Sequence, residues 1–178
     1  MRTLEEKLAL PIVRLDFGSG SHNIKLPADE WIHLDGCAGE NVDIVADFSD
    51  IPLPDKCVDE AWSGDTVEHC KSWEIGSILK EWGRVIKPGG TFSGQTPNSH
   101  RIMIDYAAGK LSYEDAINGL YGWHTDQWQQ HYITYSVQTL TKLLEENGFC
   151  DVTFPDTPGT NQNNIEMSWW LCWSCKRA

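Results

Sequence analysis

Positive charge is scarce in this sequence, which excludes the commonest polyanionic partners. The chain has 178 residues, with 14 Lys and Arg against 26 Asp and Glu, and its formal net charge is −12. Proteins that bind nucleic acid need a basic surface that displaces counterions from the phosphates. The same shortage disfavours an anionic membrane surface. We therefore expect neither a nucleic acid nor a membrane as partner.

Long apolar runs are also missing. The longest one near the start, residues 8–13, contains Pro11 and is soon followed by Arg14. A run this short predicts neither a signal peptide nor a membrane-spanning helix. Without a secretory signal, the six cysteines are expected to stay reduced. We predict a cytoplasmic protein with free thiols.

Clustered metal ligands are absent as well. Cys172 and Cys175 lie in a predicted strand, where residues three apart point to opposite faces. No second pair of this spacing completes a tetrahedral zinc site, so we interpret both cysteines as core packing. His124 and His131 have no carboxylate at matched spacing except Asp126. The sequence therefore predicts no metal ion.

The sequence does have the composition and length of one globular domain, residues 1–178, with 40% hydrophobic and 22% charged residues. Strands alternate with amphipathic helices, which predicts a mostly parallel sheet with right-handed crossovers. The predicted strands are PIVRLDF, WIHLD, VDIVAD, CVDEAWS, TFSGQT, DVTF and EMSWWLCWS. The last two are expected to form an antiparallel hairpin.

Three helices are predicted in addition to these strands, and their sequences are TLEEKLAL, SWEIGSILKEWGRVI and SVQTLTKLLEENGF. The second has apolar residues at a spacing of 3.6, with Ser72 as its N-cap and KPGG as its end. The third buries Leu140, Leu143 and Leu144 and ends at Gly148. Residues 98–135, rich in Tyr, Trp, His and Gln, are expected to form an aromatic lid over the substrate.

Two glycines, Gly18 and Gly20, follow the first predicted strand, at a place where glycine lets a ligand approach the backbone. A dinucleotide-binding turn has a third glycine where this chain has Asn23, and a long helix after it. Only ten residues separate Gly20 from Trp31, which is too few for that helix. The Gly-Lys-Ser/Thr ending of a phosphate-binding loop is also missing.

Three carboxylates, Asp16, Asp35 and Asp47, lie in or at the ends of the first three predicted strands. Each could cap a turn, but the ordered set suits one ligand better. A carboxylate at Asp35 can accept both hydroxyls of a ribose, and one at Asp47 can accept from an adenine amino group. An adenosyl ligand that carries an ammonium and a sulfonium group explains all three.

At this point the chain resembles the class I S-adenosylmethionine-dependent methyltransferases, in the branch known as type 11. The resemblance spans about residues 13–154 and rests on LDFGSGS, WIHLD, VDIVADFSDIPLPDKCVDEAWSGDTVEH, LKEWGRVIKPGGTF and LTKLLEENGF. It implies a Rossmann-like α/β fold with a seven-stranded, mostly parallel sheet, an antiparallel last strand and helices on both faces. It also implies S-adenosyl-L-methionine as cofactor and S-adenosyl-L-homocysteine as product.

The resemblance also implies which residues bind the cofactor. They are Asp16, Gly18, Ser19 and Gly20 for the methionine end, Asp35 and Gly36 for the ribose, Asp47 and Phe48 for the adenine, and Ser63, Gly64 and Asp65 near the methyl group. His22 replaces the third glycine of the family's turn, and Gly64-Asp65 replaces a common Ser-His pair. Glu68 and His69 match the family's Glu-His pair, which we interpret as tying loops together.

The acceptor is expected to enter through residues 98–135. The stretch LYGWHTDQWQQHYITYS has aromatic and amide side chains but no Lys or Arg, which favours a small neutral molecule rich in hydroxyls, such as a carbohydrate. His131 matches a lid histidine of type 11 relatives that accompany polysaccharide biosynthesis genes, so it is the leading candidate for a general base. His100 and His124 come after it. Trp128, Tyr132 and Tyr135 are predicted to complete the lid.

Two alternatives stay open from the residues alone. One is a Rossmann-type oxidoreductase that uses a nicotinamide cofactor, since Asp35 also suits a dinucleotide. The other is a protein that binds S-adenosylmethionine without catalysis, which the Gly64-Asp65 departure favours. The sequence leaves the atom methylated and the oligomeric state undetermined.

Overall fold

The computed structural model describes residues 1–20, 26–125, 128–155, 159–160, 166–167 and 169–178. The strands are β1 Arg14–Phe17, β2 Trp31–Asp35, β3 Ile44–Val45, β4 Val58–Gly64, β5 Ile86–Pro97, β6 Phe149–Thr153, β7 Gly159–Thr160, β8 Glu166–Met167 and β9 Trp170–Arg177. The helices are α1 Leu4–Leu8, α2 Ile75–Val85, α3 Ser99–Ala107, α4 Tyr113–Tyr121 and α5 Val137–Glu146, with a short 3-10 helix at Val67–His69.

Seven strands form the main sheet, in the order β3-β2-β1-β4-β5-β9-β6. Neighbours from β3 to β5 are parallel, and β9 is antiparallel to both β5 and β6. Because β5 and β6 both oppose β9, six strands share one direction and the last strand opposes them. The predicted fold class is therefore confirmed. The short strands β7 and β8 form a separate antiparallel pair.

Large aromatic side chains form the part of the core between β1, β5 and α2. The Phe17 ring stacks on Trp82 of α2 with centroids 4.1 Å apart. Phe92 of β5 meets the same two rings edge-on, and all three side chains are fully buried. This packing stabilises the carboxyl end of β1, because Phe17 is the last residue before Gly18.

The two long predicted helices are confirmed, with one correction. In α5, Ser136 is the N-cap, Leu140 and Leu144 are buried, and Gly148 follows the helix with a φ of +88°. The expected N-cap Ser72 is wrong, because α2 begins at Ile75 with Glu74 in the cap position. Ser72 lies in a preceding turn, in which the backbone N–H groups of Glu74 and Ile75 donate to the carbonyl of Lys71.

The predicted strand bounds need adjustment on the β5 side of the sheet. KPGG follows the end of α2 as expected, but it already belongs to β5. The pairing of β4 with β5 shifts register between Val58 and Glu60. The KPGG residues therefore form an irregular first part of β5. The last predicted strand divides into β8 and β9. Cys172 is half-buried and Cys175 is buried, and all six cysteines are free thiols.

The segment between β5 and α5 folds into α3 and α4, which pack against each other. Its two ends meet, because the Ser99 N–H and hydroxyl both donate to the carbonyl of Tyr135, at 2.9 and 2.8 Å. Tyr135 itself is buried in the core, and its hydroxyl donates to the Val67 carbonyl. Tyr135, which was predicted to complete the lid, is thus part of the main core. None of the helices in the described ranges is long and apolar enough to cross a membrane.

Candidate functional site

Strand order reverses beside β1, which has β2 on one side and β4 on the other. In open α/β sheets, ligands bind in the crevice at the carboxyl ends of the strands at such a point. Backbone N–H groups of Gly18 and Ser19 donate to the Leu34 carbonyl at 2.9 and 3.1 Å. The Thr66 hydroxyl donates to the Phe17 carbonyl at 3.1 Å. The ends of β1, β2 and β4 are thus joined at this crevice.

The two glycines have different tasks at the crevice, although both have a left-handed backbone, with φ of +71° and +74°. A Cβ atom on Gly18 would lie 2.3 Å from the Thr66 hydroxyl oxygen. Gly18 therefore allows the loop after β4 to pack on β1. A Cβ atom on Gly20 would have no described atom within 4 Å, so Gly20 faces the open side of the turn, where a ligand could approach.

Asp35, at the end of β2, has its carboxylate fixed by two backbone groups. One oxygen accepts from the Gly20 N–H and the other from the Cys37 N–H, both at 2.9 Å. Each carboxylate oxygen can accept more than one hydrogen bond, so Asp35 can still accept from a ligand. Gly36 lies inside the same turn and leaves open space where a side chain would project.

Asp16 lies on the opposite face of β1 from Phe17 and is buried. Its Oδ2 lies 3.2 Å from Nδ1 of the buried His33. The next predicted contact, Ser19, has a buried hydroxyl that finds no hydrogen-bond partner in the part of the chain that the structure describes. A buried hydroxyl without a partner is unfavourable, and a bound ligand would relieve it.

Asp47 and Phe48 follow β3 at the far end of the crevice. The Asp47 carboxylate accepts from the hydroxyl and the N–H of Ser49, at 2.7 and 2.8 Å, and the hydroxyl contact lowers the pKa of Asp47. Phe48 packs edge-on against Trp82. The Ala46 N–H donates to the Asp35 carbonyl, which connects this end to the end of β2.

The end of β4 contains the three residues that were predicted to lie near the methyl group. Ser63 is fully buried, and its hydroxyl has no partner among the described residues. Asp65 has a left-handed backbone with φ +55°, a conformation that costs about 1–3 kcal/mol for a residue other than glycine. Its carboxylate accepts from the Gln95 side-chain amide at 3.1 Å. The strained residue thus lies where the sequence predicted chemistry.

Beyond β4, the structure brings together three side chains that sequence reasoning did not combine. One potential metal-ligating atom from each of Glu68, His69 and His131 lies within 4.8 Å of the other two, and the imidazole rings are 4.9 Å apart. Burial, and then the nearby Asp65, raise the pKa of Glu68 well above its usual value. The sequence singled out Glu68 and His69 as a pair. Because His131 lies far from them along the chain, its contact with them could not be predicted.

His131 is half-buried, and its Nδ1 lies 3.2 Å from the Gly119 carbonyl oxygen. Burial, and then His69, lower the pKa of His131 to about 4, so the ring is neutral at pH 7. Its role as a base stays a prediction. His100 lies on α3 beside Thr134 and Gln138, away from the cluster. His124 is exposed, and Asp126 lies outside the described residues.

Comparison with known proteins shows what this chain is similar to. Residues 15–93 match the model of a family described as a methyltransferase domain. A probable S-adenosylmethionine-dependent methyltransferase from Mycolicibacterium smegmatis is 30% identical over 102 residues, which are 57% of this chain and 32% of that protein. The chain thus spans about a third of the length of this curated relative.

Solved structures share the fold at low sequence identity. A methyltransferase from Thermotoga maritima, described as a possible histamine N-methyltransferase, has a TM-score of 0.64 and 16% identity, over 97% of this chain and 87% of its own. The 1,6-didemethyltoxoflavin-N1-methyltransferase of Burkholderia thailandensis has a TM-score of 0.59 and 15% identity, over 98% and 75%. The latter was solved with S-adenosylhomocysteine bound. Residues 15–93 are thus similar to a methyltransferase domain, and the chain has the fold of S-adenosylmethionine-dependent methyltransferases.

Proposed function

We propose that this protein transfers a methyl group from S-adenosylmethionine to a small-molecule acceptor. The observation that carries the proposal is the fixed carboxylate of Asp35 at the point where strand order reverses. It lies beside the open side of the Gly20 turn and accepts hydrogen bonds from both flanking backbone segments. The family match supports a methyl donor over the nicotinamide cofactor of the alternative reading.

The residues present fit S-adenosylmethionine. Asp35 can accept the ribose hydroxyls, Ser19 offers a buried hydroxyl that has no partner among the described residues, and no described atom fills the space beside the Gly20 backbone. Asp16, Gly18, Gly36, Asp47, Phe48, Ser63, Gly64 and Asp65 complete the proposed cofactor site. When bound, the cofactor supplies a methyl group that its positively charged sulfur activates.

The protein's own share of the reaction is mainly alignment. Correct orientation of the reactants can supply roughly 7–11 kcal/mol of a barrier. A general base contributes about 10²–10⁴-fold, which is roughly 3–5 kcal/mol. Hydrogen bonds join β1, β2 and β4 at the crevice. A crevice fixed in this way can supply the larger of the two contributions, which is the orientation of the reactants.

For the acceptor, we propose a neutral molecule rich in hydroxyl groups, of the carbohydrate type. The aromatic side chains of the 98–135 segment support this class, because Tyr121, Trp123, Trp128 and Tyr132 are all largely exposed. Residues 120–136 contain no Lys or Arg to attract an anionic acceptor. The Burkholderia neighbour was solved with 1,6-didemethyltoxoflavin, which supports a small molecule in general.

Calorimetry with S-adenosylhomocysteine tests the cofactor site. We expect the unmodified protein to bind it and Asp35→Ala to bind it roughly 10- to 100-fold more weakly, since a hydrogen bond to a charged group contributes about 1.5–3 kcal/mol. Asp35→Asn keeps one acceptor oxygen and should lose less. Asp29→Ala, which removes an exposed carboxylate before β2, is the matched control.

Two results would contradict the proposal. Absence of heat with both S-adenosylmethionine and S-adenosylhomocysteine would exclude a cofactor site of this type. Equal losses for Asp35→Asn and Asp35→Ala would show that the ribose does not use both carboxylate oxygens.

A further inference from the structure

A cluster of Glu68, His69 and His131 lies at the carboxyl ends of β4 and β5, next to the proposed cofactor crevice. Glu68 and His69 belong to the 3-10 helix that starts directly after Thr66, the residue that packs on Gly18. His131 comes from the far end of the 98–135 segment. The cluster therefore lies where the donor side and the acceptor side of the proposed site meet.

Backbone hydrogen bonds hold the two chain segments of this cluster together. The N–H of Tyr132 donates to the Glu68 carbonyl at 2.8 Å, and the N–H of His131 donates to the Tyr121 carbonyl at 3.0 Å. Gly122 permits this approach, since a Cβ atom there would lie 1.8 Å from the Gln129 carbonyl oxygen. The positions of the side chains thus follow from backbone structure.

Both imidazole rings are oriented through the same nitrogen. Nδ1 of His69 lies 2.9 Å from the Gln130 carbonyl oxygen, and Nδ1 of His131 lies 3.2 Å from that of Gly119. A carbonyl oxygen only accepts, so each Nδ1 carries the proton and each Nε2 is the basic atom. Histidines that bind metals usually donate their other ring N–H to a carbonyl or carboxylate in this way.

Glu68 gives the second, independent indication of a ligand. Its side chain is 1% exposed, and Oε2 accepts from the Thr96 hydroxyl at 3.0 Å. Oε1 is buried and has no hydrogen-bond partner in the described part of the chain. Buried carboxylates are normally paired with a cation or coordinate a metal, whereas the charged group that acts on the pKa of Glu68 is another carboxylate, Asp65, which raises it.

We propose that Glu68, His69 and His131 bind a divalent first-row transition metal ion through one carboxylate oxygen and two imidazole nitrogens. Ligand atoms of a tetrahedral zinc-type ion lie about 2.0–2.2 Å from it and therefore about 3.4 Å from one another. Atoms within the observed limit of 4.8 Å need the side chains to close by at most about 1.4 Å on an ion of this geometry. This donor set suits zinc, cobalt, manganese or iron(II) rather than calcium or magnesium, which prefer oxygen ligands.

Three protein ligands leave coordination positions open, as in catalytic rather than structural metal sites. An oxygen of the acceptor can occupy such a position, and a molecule with neighbouring hydroxyls can occupy two. This assignment of the ion's role rests on the proposed function, whereas ion binding itself does not. A metal-bound Nε2 has no lone pair for a proton, so the ligand role replaces the predicted base role of His131.

Titration of the metal-free protein with Co²⁺, followed by visible absorption and by calorimetry, tests the site. We expect one ion per chain. Glu68→Gln and His131→Ala each remove a ligand and should weaken binding by about 100-fold or more, since even residues that only support a ligand are worth about 10–100-fold. Thr96→Val removes such a support and should fall within that range. His100→Ala, which removes an exposed imidazole on α3, is the matched control and should bind as the unmodified protein does.

Circular dichroism shows which variants fold, and Thr96→Val preserves the three ligands if the others do not fold. Absence of stoichiometric Co²⁺ binding to the unmodified protein would overturn the inference, as would unchanged affinity in folded Glu68→Gln and His131→Ala. Calorimetry with S-adenosylhomocysteine separates the two proposals. Cofactor binding without metal binding contradicts only the metal site, and metal binding without cofactor binding contradicts the proposed function.

Discussion

At the scale of single residues, Gly18 and Gly20 share a left-handed backbone but differ in their surroundings. The Thr66 side chain occupies the space where a Cβ atom of Gly18 would project, while no atom of the described residues lies within 4 Å of that point at Gly20. One glycine therefore serves the packing of the fold and the other the access to the site. A sequence pattern of Gly-x-Gly does not separate these two tasks.

Substitution by alanine separates them. Both changes place a Cβ atom on a left-handed backbone, which costs roughly 1–2 kcal/mol. Gly18→Ala adds an overlap with Thr66, for which core overpacking suggests about 1–3 kcal/mol more. Urea denaturation should therefore show a larger loss for Gly18→Ala than for Gly20→Ala. The second change Thr66→Ala should restore part of the stability of Gly18→Ala, and equal losses for both glycines would contradict the assignment.

The part of the candidate site that lies at the ends of single strands could be predicted from the sequence. Asp35 ends β2 and Asp47 follows β3, as the pattern indicated, because the position of a residue at a strand end depends mainly on that strand. The contact of His131 with Glu68 depends on how α4 and the following turn return to the sheet. Spacing along the chain offered only His124 beside His131, a pair that the lack of a matched carboxylate disfavoured, and the fold leaves His124 exposed.

At the scale of elements, α1 is too short to be stable by itself, since isolated helices shorter than about 12–15 residues are marginal in water. Thr3 and Glu6 form a capping box at its start. Lys7 is buried, and its ammonium group contacts both oxygens of Asp43, at 2.7 and 2.6 Å. Asp43 also accepts from the His33 N–H, so this pair connects α1 to β2.

Removing one partner of this buried pair should be strongly destabilising. We expect Lys7→Ala to lower the free energy of unfolding by about 3–5 kcal/mol, because an uncompensated carboxylate remains. Lys142→Ala is the control, since the exposed pair of Lys142 with Glu146 should contribute about 0.3–0.5 kcal/mol. Thermal or urea unfolding measures both. A loss for Lys7→Ala no larger than that of the control would show that α1 is held by other contacts.

Elements were predicted better than their ends. The stripe of apolar residues in α2 was correct because its period depends only on the helix. The expected cap at Ser72 was wrong because the backbone turn at Lys71 delays the start of the helix. Tyr135 was predicted to complete the lid with its aromatic neighbours, but it is buried and its hydroxyl donates to a backbone carbonyl inside the core, which no local pattern indicates.

At the scale of the whole molecule, compactness determines the reactivity of the thiols. Burial raises the pKa values of Cys70 and Cys175 to about 12. Both lie in the main core, one beside the 3-10 helix and the other on β9. Their thiols are therefore protonated at neutral pH as well as inaccessible, and thiolates are the reactive form.

Labelling with a thiol reagent at pH 8 should modify Cys37, which is half-exposed, well before Cys70 and Cys175. The two buried thiols should react at the rate of global unfolding, so that urea accelerates their labelling in parallel with the loss of structure. Mass spectrometry of the labelled peptides gives the three rates. Rapid labelling of Cys70 or Cys175 in the native protein would contradict a closed core at that position.

The contact of Ser99 with Tyr135 has a consequence for how such a protein can diversify. The residues between Ser99 and Tyr135 form a loop that these hydrogen bonds close, and the length of such a loop can change at small entropic cost. Its last residues are also held by the hydrogen bond from Tyr132 to the Glu68 carbonyl, whereas the strands of the proposed cofactor site need not respond to a change in the loop. Recognition of the methyl donor and recognition of the methyl acceptor can then change independently during evolution. An engineer could exchange the residues between Ser99 and Tyr135 as one unit.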